Sequence, residues 1–344
     1  MKASAPTVSV IMAMHNDARF VGQAIEGVLM QTFTEFELVI VDDASTDDSG
    51  AIVAQYKDPR IRLLVNEKNV GQAAARNIAI SHACGKYIAV HDADDVSAPH
   101  RLQAQIAYLD AHPEVVMVGS SAFVIDESGA RKATWTVPSD DLEIKWSMLF
   151  ANPFVHSSVM MRSSILATTG GYSEEAQWDY VEDYELATRL AERGQVANLP
   201  GCLVSWREKP GSVSSRNRAR LLQQLERVSQ RCLESLVPQS RLAQDFQALR
   251  TLLLSGAGQR SDLTRSEVVH GLGLVESLQR AFYGANASDL NAIRAHSRHC
   301  AWHWGKHLLA LACGNNGSRD LRCRLTLATA AMRMLGQVGG RHSA

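Results

Sequence analysis

The sequence predicts an α/β fold with a mixed, mainly parallel sheet flanked by helices, followed by an all-α C-terminal region. Short apolar segments rich in β-forming residues alternate with helix-like stretches in the first part of the chain. This alternation is typical of parallel strands joined by crossover helices. From about Ser215 onwards the strand signals end, and stretches rich in Leu, Ala, Arg and Gln predict helices alone.

The first strands and helices follow each other in regular order. Apolar residues recur at helical spacing from Phe20 to Val28, and we expect Asn16 or Asp17 to cap this helix. A second helix is predicted over Gly71 to Ala83. The strands predicted around these helices are Val8 to Met14, Glu37 to Val41, Arg62 to Val65 and Tyr87 to His91.

The chain continues with a helix after Pro99, whose fixed φ suits a first turn. Val115 to Val118 and Ala122 to Ile125 are predicted as two further strands, and Glu127 to Gly129 as a hairpin turn. Pro210-Gly211 is the sharpest break before the helical part. We therefore predict one domain over residues 1–214 and a second over 215–344, in line with about two domains for this length.

The two predicted domains differ in charge. The whole chain has 35 basic and 36 acidic side chains, but residues 216–344 contain 18 of the basic and 8 of the acidic ones. The charged fraction of 21% excludes a disordered chain, and the overall balance excludes a protein that is basic throughout. Nucleic acid binding has only the C-terminal charge in its favour, so we predict no nucleic acid partner.

Neither a membrane span nor a secretion signal is predicted. No apolar stretch reaches the roughly 18 to 20 residues that cross a bilayer, and the best late candidate, Leu325 to Val338, contains Arg333. The apolar run near the N-terminus is short and ends in polar residues. The six cysteines are scattered without a CxxC pair, which argues against a zinc site and a disulfide scaffold and favours the cytoplasm.

Carboxylates follow two of the predicted strands. Asp42 and Asp43 end the second strand, and Asp92, Asp94 and Asp95 follow the fourth. Ligands of open parallel sheets bind beyond the carboxyl ends of the strands, so these residues mark a candidate site. In an extended chain Asp92 and Asp94 point to the same side, where they suit a hard cation such as Mg²⁺ or Mn²⁺ that bridges to substrate phosphates.

Two other interpretations of the acidic residues stay open. A lone DxD is often only a solvated acidic turn, and helix capping is the favoured role for Asp47 and Asp48. No GxxxxGK[ST] loop and no GxGxxG turn follows the first strand. The kinase, ATPase and dinucleotide oxidoreductase hypotheses are therefore weakened, while a nucleotide diphosphate held through a carboxylate-bound metal remains.

An ordered set of motifs over about residues 6 to 214 resembles the family 2 glycosyltransferases, inverting enzymes of the GT-A fold. The motifs are VSVIMAMHND, AIEGVLMQTFTEFELVIVDDASTDDS, NVGQAAARNIAI, GKYIAVHDADD, NPFVHSSVMMRSSIL, GGYSEE, WDYVEDYELATRL and WREKPGSVS.

The resemblance implies a catalytic base and a donor site. Asp183, in the ED motif, takes the place of the base, although a helix cap is the alternative for a carboxylate there. The metal ligands implied are Asp94, Asp92 and Asp95, although the family's DxD motif is complete without Asp95, and Mn²⁺ or Mg²⁺ is the implied cofactor. The residues implied to bind the nucleotide sugar are Ala13, His15, Asp43, Arg76, Asp92 and Asp94.

Four residues are placed in an acceptor or sugar pocket. His156 and Trp178 have core packing as their alternative, and Glu182 precedes the implied base. Lys209 marks a departure from the family, because many relatives have histidine at this place. If that histidine approaches the diphosphate or metal, Lys209 replaces a ligand with a point charge.

The helical region carries no chemical motif. His296, His299, His303 and His307 lie at helical spacing, but packing is favoured over a metal site. The basic helices have three open roles: packing on the first domain, forming a homo-oligomer, or peripheral contact with the inner face of the cell membrane.

The sequence as a whole predicts a metal-dependent inverting glycosyltransferase of polysaccharide or glycoconjugate synthesis. It transfers a sugar from a nucleotide diphosphate donor to a glycan or lipid-linked acceptor. The alternatives are a nucleotidyltransferase and a noncatalytic partner subunit that binds nucleotide sugars.

Overall fold

A computed structural model of the chain describes residues 5–209, 217–236 and 278–285. Its strands are β1 (Val8–Met14), β2 (Phe36–Asp42), β3 (Ile61–Val65), β4 (Tyr87–Val90), β5 (Val96–Ser97), β6 (Val115–Ile125), β7 (Arg131–Trp135), β8 (Met160–Arg162) and β9 (Gln195–Arg207). Its α-helices are α1 (Val21–Leu29), α2 (Ser49–Gln55), α3 (Gln72–His82), α4 (Arg101–Ala111), α5 (Asp141–Ser147), α6 (Ser163–Thr169), α7 (Glu182–Ala191) and α8 (Arg218–Glu234). Short 3₁₀ turns cover His156–Ser158 and Ala176–Trp178, and residues 278–285 are helical.

The strands form one mixed sheet in the order β3-β2-β1-β4-β8-β6-β9-β5, with β7 paired to β6. β1 pairs in parallel with β2 and β4, β2 with β3, and β6 with β9, whereas β8 is antiparallel to both β4 and β6. Six strands therefore point the same way, and the predicted mainly parallel sheet is confirmed. Their carboxyl ends, including those of β2, β4 and β9, meet along one edge.

The core lies between this sheet and its flanking helices. β1, β2 and β4 are apolar and almost fully buried, as expected for parallel strands covered on both faces. The predicted apolar face of α1 is confirmed, since Ala24, Ile25 and Val28 are at most 1% exposed. Burying a side chain of the size of Val or Ile contributes about 1.5–3 kcal/mol, so this face fixes α1 on the sheet.

Two local predictions were wrong. Val115 to Val118 and Ala122 to Ile125 belong to the single strand β6. The small residues between them stay paired with β9 through a shift in register, so the strand is not interrupted. Neither Asn16 nor Asp17 caps α1 with its side chain, since Phe20 is the N-cap residue. Asp17 accepts from Phe20 N–H and Val21 N–H through its backbone carbonyl instead.

The predicted capping of α2 is found for only one of the two aspartates. Asp48 occupies the N-cap position without a side-chain capping bond, whereas Asp47 accepts from Ser49 N–H at 3.0 Å.

The chain divides into two compact units, residues 1–229 and 230–344. The first unit includes most of α8, where Ser229 Oγ donates to the carbonyl of Leu149 at 2.5 Å. The boundary predicted at residue 214 falls among residues 210–216, outside the described part, as do His296, His299, His303 and His307. Within the described residues, no helix combines the length and apolar character needed to cross a membrane.

Candidate active site

The end of β1 lies beside the end of β2. Ala13, which is half-buried, pairs with Val41 in the β1–β2 register. His15 Nδ1 lies 2.8 Å from the Asp43 carbonyl, which only accepts, so this nitrogen carries a proton. His15 Nε2 then accepts from Asn16 Nδ2 at 3.1 Å. His15 is thus held next to Asp43 by contacts at both ring nitrogens.

Asp43 organises the loop that leads into α3. Its carboxylate accepts from Asn66 Nδ2 at 2.8 Å and from the N–H groups of Val70 and Gly71 at 2.9 Å each. Gly71 has φ +93°, a conformation that glycine adopts without strain. We call Asp43, Asn66, Val70 and Gly71 the Asp43 cluster. Here one buried carboxylate accepts hydrogen bonds from the backbone of a loop, and its predicted role in binding the nucleotide sugar stays a prediction.

Arg76, in α3, joins the two acidic motifs. Its Nη1 donates to Glu182 Oε1 at 2.8 Å, and its Nη2 donates to Asp92 Oδ1 at 3.2 Å. The guanidinium also lies 5.5 Å from the centre of the Tyr172 ring. Burial works against its charge, but Asp92 and Glu182 raise the pKa of Arg76, so it stays protonated. The structure thus brings together Arg76, Asp92 and Glu182, which the sequence places far apart.

His156 completes this charged group, from the 3₁₀ turn before β8. Its Nδ1 lies 3.4 Å from Asp92 Oδ2 and its Nε2 lies 3.0 Å from the Tyr172 hydroxyl. Burial favours the neutral form of Asp92, yet His156 and Arg76 hold the pKa of Asp92 well below its ordinary value. We call Arg76, Asp92, His156, Tyr172 and Glu182 the Arg76 cluster.

The acidic turn after β4 alternates between outward and inward side chains. Asp92 and Asp94 are partly exposed, whereas Ala93 and Asp95 are buried. The segment is a turn and not an extended chain, since the Asp95 N–H donates to the Asp92 carbonyl at 3.2 Å, so a cation shared by Asp92 and Asp94 stays a prediction. Asp95 accepts from Ser157 Oγ and, at 2.8 Å, from the N–H of Arg207. Burial, with help from Asp94 and Asp92, raises the pKa of Asp95. Both oxygens of Asp95 accept hydrogen bonds from other residues of the protein, which favours a structural role. The predicted contact of Asp95 with a metal stays a prediction.

Arg207, at the end of β9, is a residue that the sequence interpretation missed. It is only 3% exposed, and its Nε donates to the Asp94 carbonyl at 2.8 Å. Its Nη1 and Nη2 donate to the Asp126 carbonyl and to Gln23 Oε1, each at 2.9 Å. An arginine inside an apolar strand was the available signal, since a buried guanidinium needs several acceptors. Arg207 fixes the acidic turn to β9.

Lys209 lies on the acidic turn, two residues beyond Arg207. Its Nζ is 2.5 Å from Asp94 Oδ2 and 3.4 Å from Asp17 Oδ1. Burial opposes its charge, but Asp94 and Asp17 raise the pKa of Lys209, so its ammonium persists at neutral pH. Asp17, which was predicted as a helix cap, is therefore an additional site residue. Lys209 is predicted in the sugar or acceptor pocket, and the structure places it against Asp94.

The donors around this turn fit a divalent cation in part. Asp92 and Asp94 offer partly exposed carboxylates, the hard ligands that Mg²⁺ and Mn²⁺ take. In the described part of the chain, however, no group of three His, Cys, Asp or Glu side chains is placed to hold a metal. A cation bound here would therefore complete its shell with phosphate oxygens and water.

Asp183 lies in the first turn of α7, on the other side of the Arg76 cluster. Val181 is the N-cap residue, and Asp183 is the second residue of the helix, where its carboxylate also satisfies a free N–H of the first turn. Its Oδ2 accepts from Asn152 Nδ2 at 2.9 Å, and its Oδ1 accepts from Tyr184 N–H at 2.8 Å. Burial, opposed by the charge of His156, raises the pKa of Asp183. Asp183 shares a small cleft with Asn152, Phe154, His156 and Tyr172.

The segment before α7 contains Trp178 and is attached to α8. Arg220 Nη2 lies 2.6 Å from Asp179 Oδ2 and donates to the Ala176 carbonyl at 3.3 Å. Between Asp179 and α7, Tyr180 has φ +71°, which is uncommon for a residue with a side chain. Arg220 was not predicted as a site residue, because nothing in its local sequence distinguishes it from the other arginines of this helix.

The chain is similar in sequence to known glycosyltransferases. The family profile "Glycosyl transferase family 2" matches residues 9–169. EpsE of Bacillus subtilis (strain 168), named as a glycosyltransferase, is 36% identical over 243 residues, which are 69% of this chain and 86% of EpsE. The amylovoran biosynthesis glycosyltransferase AmsE of Erwinia amylovora is 30% identical over 213 residues, which are 60% of this chain and 79% of AmsE.

A solved structure confirms the GT-A fold. The mannosyltransferase PcManGT from Pyrobaculum calidifontis, in complex with GDP-Man and Mn²⁺, superposes with a TM-score of 0.53 at 18% identity. The superposition covers 99% of this chain and 89% of PcManGT. The family profile and the sequence relatives show that the chain belongs to glycosyl transferase family 2.

Proposed function

We propose that the protein is an inverting, metal-dependent glycosyltransferase that moves a sugar from a nucleotide diphosphate donor to a glycan or lipid-linked acceptor. One observation carries the proposal: Arg76 binds both Asp92 of the acidic turn and Glu182 next to Asp183. One guanidinium thereby holds the acidic turn next to the segment that carries the candidate base. This convergence is what a displacement at an anomeric carbon requires, because both reactants have to be positioned together.

The nucleotide belongs at the end of β1 and β2 in this proposal. His15 and Asp43 position the backbone around Ala13 there, and the loop before α3 closes over the same edge. Arg76 follows in α3 and lies closest to the sugar, where its guanidinium pairs with Glu182 and helps to lower the pKa of Asp92. Asp94 and Asp92 are the residues that hold Mn²⁺ or Mg²⁺, which offsets negative charge on the departing diphosphate when it is bound.

Asp183 is the general base of the proposed reaction. Its carboxylate takes the proton of the acceptor hydroxyl while that oxygen attacks the anomeric carbon from the face opposite the diphosphate. The new glycosidic bond forms as the bond between the anomeric carbon and the diphosphate oxygen breaks, and the nucleoside diphosphate leaves. Burial makes Asp183 a stronger base than an exposed aspartate, and Asn152 holds it in place.

His156 and Trp178 line the acceptor side in this assignment. His156 is bound between Asp92 and Tyr172, so it positions the acidic turn and faces the cleft that contains Asp183. Trp178 lies in the segment that leads to α7, and in this proposal its indole stacks on a sugar ring. The name of AmsE supports a role in polysaccharide synthesis for its relatives. A cytoplasmic site of action, with peripheral contact at the inner membrane face, completes the proposal.

The two alternatives differ in what they require. A nucleotidyltransferase needs a basic phosphate-binding loop after its first strand, whereas the residues after β1 are His15, Asn16 and Asp17. A noncatalytic nucleotide-sugar-binding subunit needs no base, whereas Asp183 is half-buried, oriented by Asn152 and shifted towards a higher pKa. Both observations favour the transferase.

The test is a panel of nucleotide sugars, incubated with Mn²⁺, Mg²⁺ or EDTA, in which release of nucleoside diphosphate is measured. We expect one donor to be consumed, faster with a divalent cation, and we expect Asp183→Asn to bind that donor without consuming it. Full turnover by Asp183→Asn would contradict the role of Asp183. Transfer of a nucleotidyl group instead of a sugar would contradict the reaction class.

A further inference from the structure

We infer that Lys209 is a binding residue for the donor diphosphate, and that its ammonium allows the protein to bind a nucleoside diphosphate without a divalent cation. The inference rests on the proposed function, because it takes a nucleotide diphosphate as the donor. It goes beyond that function by assigning part of the charge neutralisation to the protein itself.

The position of Lys209 is set by a rigid support. Arg207 precedes it by two residues and binds the Asp94 carbonyl, the Asp95 carboxylate and the Asp126 carbonyl. These three contacts fix the end of β9 over the acidic turn. The ammonium of Lys209 is thus delivered to Asp94 by the sheet and not by a long free loop.

The contacts of Lys209 place a cation on the acidic turn, where the proposed function puts the donor diphosphate. Its Nζ is 2.5 Å from Asp94 Oδ2 and 3.4 Å from Asp17 Oδ1, and it lies 5.4 Å from the centre of the Phe20 ring. The side chains of Lys209, Asp94 and Asp17 are 24%, 21% and 20% exposed, so the group is open to a ligand from solvent but partly shielded from water. Partial shielding strengthens charge interactions relative to the surface.

Asp92 and Asp94 already have a cationic side chain within the described residues. Arg76 pairs with Asp92, and Lys209 pairs with Asp94. A divalent cation at Asp94 therefore shares that carboxylate with an ammonium or displaces the ammonium towards the substrate. In both cases Lys209 is within reach of a phosphate oxygen, and an ammonium can donate three hydrogen bonds.

Without Lys209, Asp94 and Asp17 would repel each other and the incoming diphosphate. The protein would then need a divalent cation before any nucleotide binds. With Lys209 present, the first charges of the diphosphate meet a protein-borne cation. We therefore expect the metal to matter for turnover more than for binding of the nucleotide.

The experiment is calorimetric titration of the full chain with UDP, GDP, ADP and dTDP, in EDTA and in Mn²⁺. We expect the wild type to bind one of these nucleotides in both buffers. Lys209→Met should weaken that binding by about 10- to 100-fold in EDTA, the loss of one charge-assisted hydrogen bond, and by much less in Mn²⁺. Lys209→Arg keeps the positive charge and should retain most of the affinity in EDTA.

The matched control is Lys86→Met, which removes an exposed ammonium paired with Asp110 at 2.6 Å and should leave nucleotide binding unchanged. Thermal unfolding of each variant shows whether it is folded. Equal affinity of wild type and Lys209→Met in EDTA would overturn the inference, and so would a wild type that binds nucleotide only with Mn²⁺. A wild type that binds none of the four in either buffer would overturn the proposed function as well.

Discussion

The Asp43 cluster and the Arg76 cluster lie at the same edge of the sheet but are built from different interactions. In the Asp43 cluster, a carboxylate accepts mainly from backbone N–H groups, and these partners lie within 28 residues of it. In the Arg76 cluster, charged side chains bind each other over separations as large as 106 residues. The first arrangement shapes a loop, whereas the second brings separate segments of the chain together for a reaction.

This difference sets the kind of damage that a substitution causes. A change in the Asp43 cluster leaves backbone donors unsatisfied, so it should alter a loop and the affinity for nucleotide. A change in or beside the Arg76 cluster leaves charges unpaired or removes the base, so it should alter the reaction and the stability together.

The largest effect is expected from Asp183→Asn beside the Arg76 cluster. Loss of the general base should lower kcat by about 10²- to 10⁴-fold, with donor affinity unchanged. Because the pKa of Asp183 is raised, the wild-type rate should fall on acidification from a higher pH than for an ordinary aspartate, as the base becomes protonated. Initial rates measured against pH check both points, with Asp110→Asn on the surface as the matched control.

Arg76→Ala should have the next largest effect, on stability as well as activity. It leaves the buried Glu182 and the partly buried Asp92 without their shared cation, which costs about 3–5 kcal/mol of unfolding free energy. The control is Arg60→Ala, whose pair with Asp58 at 2.8 Å is more exposed and contributes about 0–1 kcal/mol. Urea unfolding measures the loss of unfolding free energy in both variants. Equal losses in Arg76→Ala and Arg60→Ala would contradict the idea that burial makes the Arg76 pairs more important.

Asp43→Asn tests the other cluster. An asparagine keeps one acceptor oxygen but turns a donor NH₂ towards a backbone N–H, so we expect a loss of about 1–3 kcal/mol and weaker nucleotide binding with little change in kcat. Asp48→Asn, on an exposed residue of the same loop region, is the control. A large drop in kcat at unchanged affinity would remove the distinction between the two clusters.

The smallest effect is expected at the attachment of α8 to the segment before α7. The Arg220–Asp179 pair is about half exposed, so Arg220→Ala should cost no more than about 1 kcal/mol. It should nevertheless speed amide hydrogen exchange in residues 176–181, which contain the positive φ of Tyr180. Arg218→Ala serves as the control, and unchanged exchange in Arg220→Ala would show that α8 does not hold this segment.

The two clusters also differ in how far the sequence predicted them. Asp43, Asp92 and Asp94 were predicted from the sequence because they follow apolar runs that form strands. In a parallel sheet the carboxyl ends of such strands lie at one edge. The partners Asn152 and Arg207 were missed. Nothing local to Asn152 indicates its contact with Asp183, 31 residues away, and an arginine in an apolar strand indicates a need for acceptors but not that Asp94, 113 residues away, provides one. Strand ends follow from local pattern, whereas pairing between distant side chains depends on the packed fold.

The contacts of Arg207 have a consequence for the order in which the protein is made. Asp94 and Asp95 leave the ribosome more than a hundred residues before the arginine that holds their turn, since the separations are 113 and 112 residues. At about 5–20 residues per second, the acidic turn waits on the order of 6 to 22 seconds for its support. During that interval the nascent chain has its donor carboxylates but neither Arg207 nor Lys209, so nucleotide binding should begin only after β9 is complete.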